Sequence, residues 1–271
     1  MSLLRTVKSD MYRVLYSWRF YVALILPFIF YIASGIGEIN ASWNNQHPPD
    51  VLHFSTFLLG VGSFSIMLVL AACFPFAQAY CDDVKNQYIR FMLPRCRVNN
   101  YCASKITIGA LSGGVAASVG YCLFLVVLAT HFPLVNEDGG MVRSFIMASD
   151  LNYGGELLEA GRHLMFFGTM VYASFLFGAF WGAVGITVSG FIPNPFVAMF
   201  SPFLLNQVSV VLIVRGVFGG FILHPTTILN GAFNIAGPLV SMLYATAYIS
   251  ALIGLCLLIF RICVKRRLHR D

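Results

Sequence analysis

Charge is what this sequence has least of. Asp, Glu, Lys and Arg make up only 10% of its 271 residues, against about 25% in soluble domains. With 58% of the residues hydrophobic, a globule in water would lack the polar skin to cover its apolar surface. A bilayer requires no such skin. The composition therefore excludes an ordinary soluble domain and predicts an all-α polytopic membrane protein. The net charge of +6 does not point to nucleic acid, because the bases sit at the ends of apolar runs and form no single face.

Chemical motifs are missing too. There is no H-E-x-x-H for a zinc protease and no G-x-S-x-G for a nucleophile elbow. No carboxylate pair lies within an apolar run. The only lysines are Lys8, Lys85, Lys105 and Lys265, and none follows a phosphate-cradling glycine run. The chain is thus expected to have no ATP site of its own, no cofactor and no metal. Ionisable groups at mid-membrane, usual in ion-coupled carriers, are nearly absent; Glu38 and Arg215 fall at span ends. The seven cysteines all lie in spans or in expected cytoplasmic segments, which leaves no external disulfide framework. Cys81, Cys96 and Cys102 lack the close pairing of a zinc site.

Six apolar stretches remain, at about 20–39, 54–80, 105–131, 164–190, 196–214 and 239–260, each near the length needed to cross hydrocarbon. Together they predict one transmembrane domain over 1–271. Placing the N-terminus in the cytoplasm puts 14 of the 17 bases inside, leaving Arg143, Arg162 and Arg215 outside. The distribution of positive charge therefore predicts a multi-pass protein of the cell membrane with both termini cytoplasmic. Residues 3–19 read as an amphipathic helix lying in the interface, Leu3, Leu4, Val7, Met11, Val14, Leu15 and Trp18 forming its apolar stripe. Gly109 and Gly113, like Gly178 and Gly182, are spaced for close helix packing, within one protomer or along a dimer seam. Residues 215–238, apolar but broken by glycine and proline, predict an external re-entrant hairpin between spans five and six.

One short segment stands apart. Residues 80–105 carry two acids and five bases between apolar neighbours. The pattern predicts a cytoplasmic helix over 82–93, with Asp82 and Asp83 at its N-terminus and Pro94 ending it. Val84, Tyr88, Phe91 and Met92 share one face; Lys85, Asn86, Gln87 and Arg90 share the other. A helix that merely rests on headgroups would show the same periodicity.

The order Asp83, Leu93, Pro94, Arg97, Tyr101, Lys105 resembles the cytoplasmic coupling loop of type-2 ABC exporter permeases, although Gln87-Tyr88 stands where that family usually has Gly-Thr. The layout of interfacial helix, six spans and broken external hairpin is similar as well. The resemblance implies a permease subunit driven by a separate cytoplasmic ABC ATPase, with a second permease chain, identical or related, completing the path. It implies that Asp82, Asp83, Gln87, Tyr88, Arg90, Phe91, Met92 and Arg97 engage the ATPase. Spans without charge imply an amphipathic or apolar cargo: peptide, drug or lipid-like. The rival readings are a stand-alone ion-coupled carrier or channel and a membrane-embedded enzyme using Glu38, His131, Arg162 or His163.

Overall fold

The computed structural model describes residues 3–43, 49–60, 63–92, 96–136, 144, 146–149, 152–214 and 224–268, with the backbone alone at 43, 57–60, 63–66, 90 and 213–214. Among these residues the regular structure is helical, with no strand. Among the described residues five helices are long and apolar enough to cross a membrane: α2 (Trp18–Trp43), α7 (Val98–Ala129), α9 (His163–Phe191), α10 (Pro195–Val214) and α12 (Pro238–Leu268). The stretch expected as the second span, about 54–80, holds α3 (Val51–Gly60) and α4 (Ser63–Cys73), with residues 61–62 outside the description, and its last residues form a turn at 74–78 and the start of the next helix. Short helices complete the order: α1 (Leu3–Leu15), α5 (Ala79–Lys85), α6 (Tyr88–Met92), α8 (Gly154–Glu159) and α11 (Pro225–Leu229). The expected external hairpin falls partly on residues 215–223, which lie outside the description; its remainder contains α11.

The centre of the bundle is the pair α7 and α9. Their apolar windows are 56% and 72% buried, whereas those of α2, α10 and α12 are 28% buried or less. Glycine sets the spacing of this pair. A Cβ at Gly113 would stand 2.6 Å from the Gly178 carbonyl oxygen and 2.7 Å from that of Ala72. Gly109 and Gly182 face each other in the same way. Both small-residue motifs are therefore consumed by packing within one chain, and the backbones meet where any side chain would hold them apart. Around this axis α2 leans on α7, with Pro27 filling the space that Gly120 leaves; α12 lies against α9, and α10 against α9 and α4.

Aromatic side chains fill the space between helices. Tyr31 stacks on Phe124 at 4.7 Å between ring centroids, and Phe54 meets Phe132 at 4.9 Å. The end of the bundle remote from α1 is closed by polar turns. Asp50 accepts the backbone N–H groups of His53 and Asn136, which starts α3 and ties it to the segment after α7. Tyr153 N–H donates to the Phe233 carbonyl, and Asn234 donates to the Ser149 carbonyl and to Glu156.

At the other end α1 lies against the bundle with a mixed face inward, its bases Arg5, Lys8 and Arg13 remaining exposed. Thr6, Asp10 and Val14 are buried while Leu4, Met11, Tyr12 and Leu15 are exposed. A helix in water would do the opposite. Exposed apolar side chains beside exposed bases suit a helix in the membrane interface, and the inward face leaves an acid, Asp10, among the bundle's own side chains.

Candidate functional site

Asp10 is one corner of a buried ionic joint where α1, α5 and α7 meet. Lys105, near the start of α7 and 1% exposed, reaches Asp10 Oδ1 and Asp83 Oδ2 at 2.8 Å each. Arg13, one turn beyond Asp10 on α1, donates to Asp83 Oδ1 at 2.8 Å. The remaining lone pairs are also used: Tyr101 donates its hydroxyl to Asp83 Oδ2 at 2.7 Å, and Ser104 donates to Asp10 Oδ2 at 2.6 Å. The Lys105 ammonium lies over the rings of Phe76 and Tyr101. Two acids and two bases thus cancel in charge, which is the condition under which ions tolerate burial. Burial by itself would lower the Arg13 pKa; Asp83, helped by Asp10, outweighs it and the pKa is raised.

From this joint the chain runs outward to a tip. α5 ends in a turn, the Asn86 N–H donating to the Asp82 carbonyl and that of Gln87 to Val84. Gln87 then adopts φ +54°, a left-handed conformation that reverses the chain. α6 follows. Lys85, Asn86, Gln87, Tyr88 and Phe91 are exposed, Phe91 at 68%. Arg13 links root and tip, because the guanidinium that binds Asp83 also lies over the Tyr88 ring, 5.5 Å from its centroid. Asp82 makes a second tie to Arg19, at the start of α2, at 3.5 Å.

These positions correct several expectations. A single helix over 82–93 does not form; the left-handed Gln87 splits it into α5 and α6. Asp83 does not serve a helix N-terminus, since three cationic and hydroxyl donors draw it into the core. Asp82 is half-buried in the first turn of α5. Met92 leaves the supposed shared face and packs inward in the cluster of Val14, Phe76, Cys96, Tyr101 and Ile106, so the exposed apolar surface at the tip comes from Tyr88 and Phe91. Arg97 is exposed at the N-cap of α7. Leu93, Pro94 and Arg95 lie outside the described residues, as does the side chain of Arg90.

Asp10, Arg13, Tyr101, Ser104 and Lys105 were legible only in part. Lys105 reads in sequence as a marker of membrane re-entry, and α1 reads by its apolar stripe. The available signal was Asp10, the first acid of the chain and the only one before Glu38, placed one turn after Thr6 and one turn before Val14, at the edge of that stripe. Burial pushes the Cys81 thiol up to about 11, away from the thiolate that ligation or attack requires. Among the described residues no cluster of His, Cys, Asp and Glu has the arrangement of a metal site. The arrangement is suited to mechanics: an exposed tip rooted in a joint that three helices share. No protein-family model matches the chain, and no curated protein matches it.

Proposed function

We propose that this chain is the membrane subunit of an ATP-driven exporter of the type-2 ABC class, and that α5 and α6 form the part gripped by a separate cytoplasmic ATPase. The observation that carries the reading is the pairing of an exposed tip with a fixed root. Tyr88 and Phe91 present an apolar surface of the kind a groove binds, while Asp83, a few residues away, is locked to α1 and α7. A push on the tip would reach α7 through Lys105 and α1 through Arg13. From α7 it would pass along the glycine contacts into α9. In this reading the basic end of the bundle faces the cytoplasm, α3 and α4 together form a sixth crossing, two permease chains enclose the path, and the cargo is amphipathic or apolar.

The test is co-purification with a phosphate-loop ATPase encoded beside this chain. Phe91→Asp and Arg90→Glu are expected to abolish association or coupled ATP hydrolysis, with the thermal midpoint of the solubilised protein unchanged. A stand-alone carrier or channel predicts transport without any ATPase, and normal association in both variants would overturn the proposal.

A further inference from the structure

A cavity unconnected with the ionic joint lies at the other end of the bundle. It is a groove of about 480 Å³ between the start of α9 and the start of α12, within the roughly 300–1,000 Å³ typical of ligand sites. Met165, Thr169, Tyr172, Leu239 and Met242 form its walls. Met165 and Leu239 are well exposed, so in a bilayer the groove opens sideways to acyl chains. Gly168 lies in its floor, and a Cβ there would meet nothing within 4 Å. Toward the middle of the membrane Tyr172 and Thr246 join α9 to α12 by a hydrogen bond of 2.9 Å. At the mouth stands Arg162, the N-cap of α9, whose guanidinium makes no ion pair with a described acid; Glu156 is bound instead to Asn234.

An apolar slot opening to lipid, with one free guanidinium where the span begins, has the two halves needed to hold an amphiphile with an anionic head. We propose that this groove binds an anionic phospholipid of the surrounding bilayer, one acyl chain along Gly168 and Leu239 and the phosphate on Arg162. Guanidinium suits this role because it presents paired donors to phosphate oxygens. A headgroup with no net charge would keep the chain contacts but gain less at the mouth. The site is independent of the ATPase reading, since it requires neither a partner subunit nor turnover.

The experiment uses the full chain in detergent, with phosphatidylglycerol or phosphatidylcholine added, and reads the thermal midpoint together with bound lipid by native mass spectrometry. Phosphatidylglycerol is expected to raise the midpoint and to remain bound to the wild type, with phosphatidylcholine much weaker on both counts. Arg162→Gln should remove the preference between the two lipids. Gly168→Trp, which fills open space, should abolish retention of both while leaving the lipid-free midpoint near that of the wild type. If Gly168→Trp itself lowers that midpoint, Arg162→Gln decides, because its side chain lies at the exposed mouth. Equal shifts from the two lipids in the wild type, or an unchanged preference in Arg162→Gln, would overturn the proposal.

Discussion

Lys105 is the residue on which most depends. Among the described residues it is the cation that lies 2.8 Å from both buried carboxylates; Arg13 pairs with both as well, but stands 3.7 Å from Asp10. Lys105→Met keeps the length of the stem but strands an acid in the protein interior. Removing one partner of a buried ion pair costs about 3–5 kcal/mol, so the thermal midpoint in detergent should fall sharply. A cycle with Asp10→Asn should show strong coupling, the double variant losing less than the two single variants combined. Additive losses would mean that the pair does not interact. In sequence this joint was half visible. The acids and bases of 80–105 stood out against their surroundings, and Asp83, Tyr101 and Lys105 carried the resemblance to the coupling loop. Their partner across the interface did not stand out, because helical periodicity shows which residues share a face and not what that face meets.

At the scale of elements, glycine spacing was the most readable signal, and the structure assigns it to the α7–α9 contact. Gly113→Val places a side chain against two carbonyl oxygens and should cost about 1–3 kcal/mol or more. Gly254→Ala is its control. A Cβ at that position of α12 meets nothing, so the change should stabilise by about 0.5–1 kcal/mol through helix propensity. Thermal unfolding of the two variants side by side checks both signs. The break between α5 and α6 was not readable in the same way. Nothing about Asn86-Gln87 demands a left-handed residue; the tertiary pull on Asp83 and the inward packing of Met92 impose it.

The far end of the bundle makes a separate prediction about pH. His224 caps α11 through its ring nitrogen and meets Ser209 at 2.8 Å, and burial pushes its pKa down from 6.5 to about 4. Between those values the unfolded chain binds the proton more readily than the folded one. The stability contributed by the neutral ring is therefore complete above about pH 6.5 and is lost as pH falls toward 4. Midpoints measured across that window should decline on acidification, and less steeply in His224→Gln. Equal slopes would remove His224 from the account.

For the molecule as a whole, composition alone foretold a helical protein made to cross a membrane, since so little charge in so long a chain leaves few other ways to bury its surface. Orientation and partnership rest on the placement of bases and on the form of the α5–α6 tip. The most direct measurement is thiol labelling at a cysteine placed at Tyr88, an exposed position, with a membrane-impermeant maleimide and the unsubstituted chain as background. The account predicts labelling in inverted vesicles but not in intact cells, and protection when the ATPase is bound. Labelling from outside intact cells would contradict it, as would an ATPase that binds without shielding the thiol.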